Sequence, residues 1–199
     1  MSSFFEAPVH HQAFVVPDLD QALSKLIACG VGPVYVVRHV RGTNLFRGER
    51  HEAVVSAGFV QDGDTLLEFI EPHEDHPSAY REFLQRNPQG GLHHIAYTSG
   101  NFARSIASAK EKGGDFQIVQ EMVGESGEPF EIYMEPVGVD EPVMVQLMLS
   151  GLFQDFFDAV RVAARDWDGS EPIRDGFPLL ASYAGTGVVN DQGSAARSS

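Results

Sequence analysis

Val9-His10-His11-Gln12-Ala13-Phe14 and Leu92-His93-His94-Ile95-Ala96-Tyr97 are one pattern written twice: an apolar residue, two histidines, a variable residue, an alanine and an aromatic ring. An internal repeat is decisive in reading a sequence, because each copy is one structural unit that needs its neighbour to bury its apolar face. Both stretches have strand character, and both lead into a helix. After the first, Leu19, Ala22, Leu23, Leu26 and Ile27 recur at the spacing of a helix face, with Asp18 placed to cap it and Gly30 to end it. After the second, Asn101 takes the capping place, Phe102, Ile106 and Ala109 the face, and Gly113-Gly114 the stop.

Shorter apolar segments follow each helix. In the first half they are Val34 to Val37, Ala53 to Val60, and Thr65 to Ile70 after the Asp62-Gly63-Asp64 turn; in the second, Phe116 to Val119, Phe130 to Met134 and Val143 to Leu149. The fold class expected is therefore α+β. Two βαβββ modules, residues 8–72 and 92–150, bury their apolar sheet faces by curling around a shared, open, barrel-like cleft. A linker over 73–91 carries a short helix near Ser78 to Gln85. Residues 151–184 form a C-terminal helical extension in which Phe153, Phe156, Phe157, Val160, Ala164 and Trp167 make an apolar stripe. That stripe is expected to pack on the chain's own sheet, with a partner interface as the alternative. Residues 185–199 turn to Gly, Ser, Ala and Asn and are expected to be a flexible tail.

A chain of 199 residues buries a core without a disulfide framework, and its one cysteine, Cys29, reads as a small buried apolar residue. No stretch approaches the roughly 20 apolar residues of a membrane span. Met1 to Val9 carries no basic or apolar run, so a soluble, cytoplasmic protein is expected. With 28 acidic against 14 basic residues, the overall field opposes nucleic acid. The cations that exist crowd together: Arg38, His39, Arg41, Arg47, Arg50 and His51 read as a solvated loop or as the mouth for an anionic small-molecule substrate.

Two polar residues interrupt apolar strands. Glu68 sits inside Thr65-Leu66-Leu67-Glu68-Phe69-Ile70, and Gln146 inside Val143-Met144-Val145-Gln146-Leu147-Met148. Either group, buried and unpaired, costs about 1–3 kcal/mol. Each follows its histidine doublet at a similar distance along the chain. If a twofold axis relates the modules, two imidazoles and two oxygen-bearing side chains converge in the cleft. That set suits one divalent ion, Zn, Ni, Co, Mn or Fe(II), and its lack of thiolate argues against a structural zinc knot. Taken singly, a strand histidine is more often a core residue and Glu68 a plain salt-bridge partner; the repetition favours the metal. Strand alternation does not decide which histidine of each doublet faces inward.

The stretches His11 to Leu19, Leu67 to Pro72 and Gly90 to Ala96 resemble the vicinal-oxygen-chelate superfamily of glyoxalases, epimerases, extradiol dioxygenases and bleomycin-binding proteins. Among these the chain looks most like the methylmalonyl-CoA epimerase and glyoxalase branch, over about residues 9–149. The resemblance implies His11 and His94 as metal ligands, with His10 and His93 pointing away, and Glu68 and Gln146 as the other two. The family usually has a carboxylate on the eighth strand, where this chain has Gln146. The amide leaves the site one negative charge poorer and removes that strand's usual base. The implied activity is that of a metal-dependent isomerase, epimerase or lyase stabilising the enolate of an acyl-thioester or 2-oxo acid type of substrate. Glu68, or Glu49 or Glu52 of the basic loop, is the candidate base, and Arg38, Arg47 and Arg50 are candidates to hold a substrate anion. An iron(II) ring-cleaving dioxygenase and a non-catalytic, bleomycin-resistance-like binding protein are the alternatives, and a homodimer is the state the resemblance implies.

Overall fold

A computed structural model describes residues 4–180 and 189–190. The first half runs β1 (Val9–Val15), α1 (Leu19–Ala28), β2 (Val34–Phe46), β3 (Glu49–Asp62) and β4 (Thr65–His73), and α2 (Ala79–Arg86) follows. The second half repeats that order as β5 (Gly91–Ser99), α3 (Phe102–Glu111), β6 (Phe116–Val123), β7 (Pro129–Pro136) and β8 (Met144–Leu149). Beyond it lie α4 (Gln154–Arg165), β9 (Ile173–Asp175), α5 (Phe177–Leu180) and β10 (Val189–Asn190). Asp18, Ser78 and Asn101 accept the backbone N–H groups of Gln21, Arg81 and Arg104, each satisfying a donor that a first helical turn leaves free.

In each half the first strand lies parallel to the last, β1 beside β4 and β5 beside β8. The halves meet where β1 and β5 pair antiparallel. There Gln12 stands opposite Ile95, His11 opposite Ala96 and Ala13 opposite His94, so the junction is its own twofold image. The equivalence continues outward, with Ala13 opposite Glu68 and Ala96 opposite Gln146. Far from this junction, Thr43 to Phe46 of β2 pair with Gln120 to Val123 of β6. The strands of both halves thereby form an irregular ring within one chain, and β9 and β10 add to β2. A buried amide holds the β2–β6 seam: Gln120 Oε1 accepts from Asn44 Nδ2 and from the backbone of Ala79 at the start of α2.

Helices cover the ring from outside. Leu19 and Leu23 of α1 pack with Val34, Val36 and Val60, and Ala109 of α3 packs with Ile132, Met134 and Leu147. A third cluster lies inside, where Ala57, Ile70 and Met148 meet Phe156, Phe157 and Val160 of α4. Burying each of those aromatic side chains is worth about 1.5–3 kcal/mol. No helix among the described residues is long and apolar enough to cross a membrane.

The structure departs from the sequence reading at two places, and a third expectation lies mostly outside the described residues. Arg38 to His51 is not a loop: β2 and β3 continue through it and turn at Arg47-Gly48, both at positive φ, as a tight hairpin turn requires. The extension is what lets β2 reach β6. Cys29 is exposed, because it caps the end of α1 outside the helix's apolar face. The tail expected over 185–199 falls outside the described residues except for Val189–Asn190, which pair with Val40 and Arg41.

Candidate metal centre

Both histidine doublets sit at β-bulges. His10 has no partner between the pairs Val9–Tyr97 and His11–Ala96, and His93 has none between Ala13–His94 and Phe14–Leu92. An extra residue in one strand lets successive side chains turn toward one side. Neither His10 nor His93 lines the central cavity, yet each stays in contact with the ring that follows it. Nδ1 of His10 lies 2.9 Å from Nδ1 of His11, and Nδ1 of His93 lies 2.9 Å from Nδ1 of His94. In each pair one ring donates and the other accepts. Burial holds His93 down to about 4; burial, helped by the charges of His11 and Arg161, does the same to His10. Both are thus neutral near pH 7 and free to accept. Where they do, the shared proton rests on Nδ1 of His11 and of His94, and each of those rings presents an Nε2 lone pair to the cleft. Burial, then the neighbouring His93 and His11, also keeps His94 well below its ordinary pKa.

The rings of His11 and His94 stand 5.7 Å apart. Glu68 Oε2 is 3.1 Å from His11 Nε2 and 3.7 Å from His94 Nε2, and one ligand atom from each of the three residues lies within 4.8 Å of the others. Gln146 stands against His94 and donates its amide N–H to Tyr133 Oη at 2.8 Å. Its Oε1, like Nε2 of His11 and of His94, is buried without a hydrogen-bond partner. Three such atoms, each costing about 1–3 kcal/mol, are a poor arrangement for a protein that binds nothing there. A divalent cation satisfies all three and neutralises Glu68, and two imidazole nitrogens with a carboxylate and an amide oxygen are a donor set that suits it. The residues present fit the ion.

A cavity of about 120 Å³ adjoins these groups, walled mainly by apolar side chains such as Ala57, Phe59, Ile70 and Met148, and by Phe153, Phe156 and Phe157 of the C-terminal extension. Its polar side includes a chain absent from the sequence reading. Tyr80 Oη donates to Tyr133 Oη at 2.7 Å, and Tyr133 Oη donates to Glu131 Oε2 at 3.2 Å. Burial keeps both phenols protonated, and burial with the nearby charge of Glu68 raises the Glu131 carboxyl to about 7. The sequence offered a weak signal for this group. Glu131 and Tyr133 alternate with Phe130, Ile132 and Met134, which reads as a solvent face on β7 but is the cleft face.

The remaining candidates lie elsewhere. Arg38 pairs with Asp20 at 2.5 Å, Arg47 with Glu82 at 2.8 Å, and Glu52 with Arg41 at 3.0 Å, while Glu49 faces His51 and Arg50 is exposed. None of Arg38, Arg47, Arg50, Glu49 or Glu52 lines the cavity. The long β2–β3 hairpin carries them along its outer reach, where they meet one another and α1 and α2.

The sequence pattern of the Glyoxalase/Bleomycin resistance protein/Dioxygenase superfamily matches residues 10–131, more than half of the chain. Mitochondrial methylmalonyl-CoA epimerases of Bos taurus and Homo sapiens are each 29% identical to it, over 133 and 135 residues, covering 64% of this chain. The match spans 66% of the length of each of those relatives, just under two thirds. Among solved structures, methylmalonyl-CoA epimerase of Streptomyces coelicolor in complex with 2-nitronate-propionyl-CoA is similar at 19% identity and a TM-score of 0.46, over 73% of this chain and 95% of that one. The enzyme of the same name from Mycobacterium tuberculosis is similar at 15% identity and a TM-score of 0.46, over 75% and 91%. The chain belongs to the Glyoxalase/Bleomycin resistance protein/Dioxygenase superfamily.

Proposed function

We propose that this protein is a divalent-metal-dependent epimerase or isomerase acting on a small anionic acyl compound of the acyl-thioester or 2-oxo acid type. One observation carries the reading: Nε2 of His11, Nε2 of His94 and Oε1 of Gln146 are buried without a well-formed hydrogen bond and converge around the Glu68 carboxylate, beside an apolar cavity. The similarity to methylmalonyl-CoA epimerases supports epimerisation over the superfamily's other reactions. His11, Glu68, His94 and Gln146 would hold the ion. When bound, such an ion supplies Lewis-acid stabilisation of charge developing on a substrate oxygen.

This chain's own residues supply the rest. The apolar walls exclude water from the reacting carbon, which strengthens every charge interaction made there. Removing and returning the proton alpha to a carbonyl needs a carboxylate at the cavity. Glu68 and Glu131 both border it, so Glu68 stays a candidate and Glu131 takes the place of Glu49 and Glu52. Glu131 is held from behind by Tyr133, so it can take a proton without releasing a metal ligand. The test is exchange of the alpha hydrogen for solvent deuterium, followed by mass spectrometry, with methylmalonyl-CoA and a panel of 2-oxo acids. Incorporation that is lost in His94→Ala is the expected result; no incorporation with any member rejects the reading.

One observation also favours a second chemistry. Two histidines and one carboxylate, His11, His94 and Glu68, form the compact group within 4.8 Å, and that is the ligand set of iron(II) oxygenases. Oxygen uptake with a catechol and ferrous iron, and no deuterium exchange, would select it.

A further inference from the structure

The two halves of the ring solve the same problem with different residues. In the first half Glu68 faces Phe59 across the β3–β4 ladder, and in the second Gln146 faces Tyr133 across β7–β8. One step further along, Ala57 faces Ile70 where Glu131 faces Met148. Thus the half whose ligand is a carboxylate has a phenyl ring and a methyl group behind it. The half whose ligand is an amide has a phenol and a carboxylate.

The chemistry of the two side chains explains the difference. A carboxylate offers an acceptor oxygen whichever way it rotates, whereas an amide has one acceptor end and one donor end. Turned by half a rotation, Gln146 would point N–H groups at Nε2 of His11 and His94 and could hold no cation. Tyr133 Oη accepts from Tyr80 Oη and from Gln146 Nε2 and donates to Glu131, which uses all of its hydrogen-bonding capacity. Its own proton is committed to Glu131, so it welcomes the N–H end of the amide and rejects the carbonyl end. We infer that Tyr133, fixed by Tyr80 and Glu131, is a positioning residue that locks Gln146 with Oε1 toward His11, His94 and Glu68, and thereby makes an amide usable as the fourth metal ligand. The inference rests on the metal reading of the site.

Partners that orient a ligand typically change metal affinity by 10–100-fold. The test is titration of the metal-free protein with Co(II), read by visible absorption and by competition with a chelator, on the wild type and five variants. Tyr133→Phe, which copies the Phe59 arrangement, is expected to weaken binding 10–100-fold while the circular dichroism spectrum is retained. In a Gln146→Glu background the same change is expected to matter less than about 3-fold, because a carboxylate needs no orientation. Equal affinity of wild type and Tyr133→Phe overturns the inference, as does an undiminished loss in the Gln146→Glu background, which would make Tyr133 a packing residue only. If Tyr133→Phe fails to fold, Tyr80→Phe, which removes only one of the three bonds at Oη, must weaken Co(II) binding in the Gln146 protein and not in the Gln146→Glu protein. Absence of Co(II) binding by the wild type overturns the metal reading together with the inference, and is distinct from the outcomes above.

Discussion

His11 and His94 are exchanged by the local twofold axis that passes between Gln12 and Ile95, and their Nε2 atoms lie 3.1 and 3.7 Å from the same oxygen of Glu68. Protein purified without chelator should therefore carry close to one divalent ion per chain by elemental analysis, and His94→Ala prepared identically should carry little. Stripping the metal from the wild type should lower its Tm, since an ion at 100 times its Kd contributes about 2.7 kcal/mol. A Tm indifferent to chelator and to added metal would count against the site.

His10 and His93 can act on a bound ion only through His11 and His94. His93 is almost fully buried among Tyr80, Phe83 and Tyr133, and its one role toward the site is the 2.9 Å contact to Nδ1 of His94. His93→Phe keeps a ring in that space and removes the acceptor. We expect a 10–100-fold loss of metal affinity with much smaller loss of stability. Calorimetric titration with Zn(II) checks the first and urea denaturation of the metal-free protein the second.

Glu131 makes the metal-free protein sensitive to pH in a defined direction. Its folded pKa, about 7, lies above its ordinary 4.5. Below pH 4.5 the carboxyl is neutral in both states and carries no penalty. As pH rises to about 7 the unfolded chain ionises freely while the folded one must ionise in a buried place, so stability is lost across that window and the loss is constant above it. Glu131→Gln lacks this term. The Tm of the variant should gain on that of the wild type between pH 4.5 and 7.5. A parallel pair of curves would show that Glu131 is ionised in the fold without cost.

Much of this was legible from the repeat. The doublets, Glu68 and Gln146 identify themselves because each interrupts an apolar strand at an equivalent place in both halves, and the twofold register needs no more than that equivalence. The bulges were not legible: a period of two cannot show that His10 and His93 are extra residues, since the pattern around them is the same with or without a skipped partner. Tyr80 was hidden in the connecting helix, whose place over the cleft is set by the Gln120 clasp to Ala79, a contact between residues far apart in the chain. Tyr133 and Glu131 were hidden because a polar-looking strand face implies solvent only when that face is not the inside of a ring.

Gly90 fixes how the second doublet meets the first. It precedes β5 at φ +76, and a Cβ there would stand 2.5 Å from the carbonyl oxygen of Val15, the last residue of β1. Gly90→Ala has to strain its own backbone and push β1 and β5 apart at the junction that carries all four histidines. A loss of roughly 1–3 kcal/mol is expected from the backbone conformation alone, with weaker metal binding as the register loosens. Urea midpoints and Zn(II) titration report the two effects separately; Gly63→Ala, also at positive φ but with open space around it, should show only the first.

Phe157 ties the C-terminal extension to the site. Its ring meets that of His10 edge-on at 4.6 Å and lies 6.2 Å from the ring of His11, and it is 3% exposed. Truncating a buried phenylalanine costs about 3–5 kcal/mol, because the lost transfer energy is joined by the cavity left behind. Phe157→Ala should therefore lower the urea midpoint substantially at unchanged m, while Val162→Ala, on the exposed side of the same helix, should stay within about 0.5 kcal/mol of the wild type. The enlarged space adjoins the cavity that Phe157 lines with His11, Glu68 and Gln146. If α4 is the wall that sets the size of the acyl group accepted, the variant should shift its preference toward longer acyl chains in the deuterium-exchange assay. An unchanged preference, in a variant that is folded and binds metal, would assign α4 to stability alone.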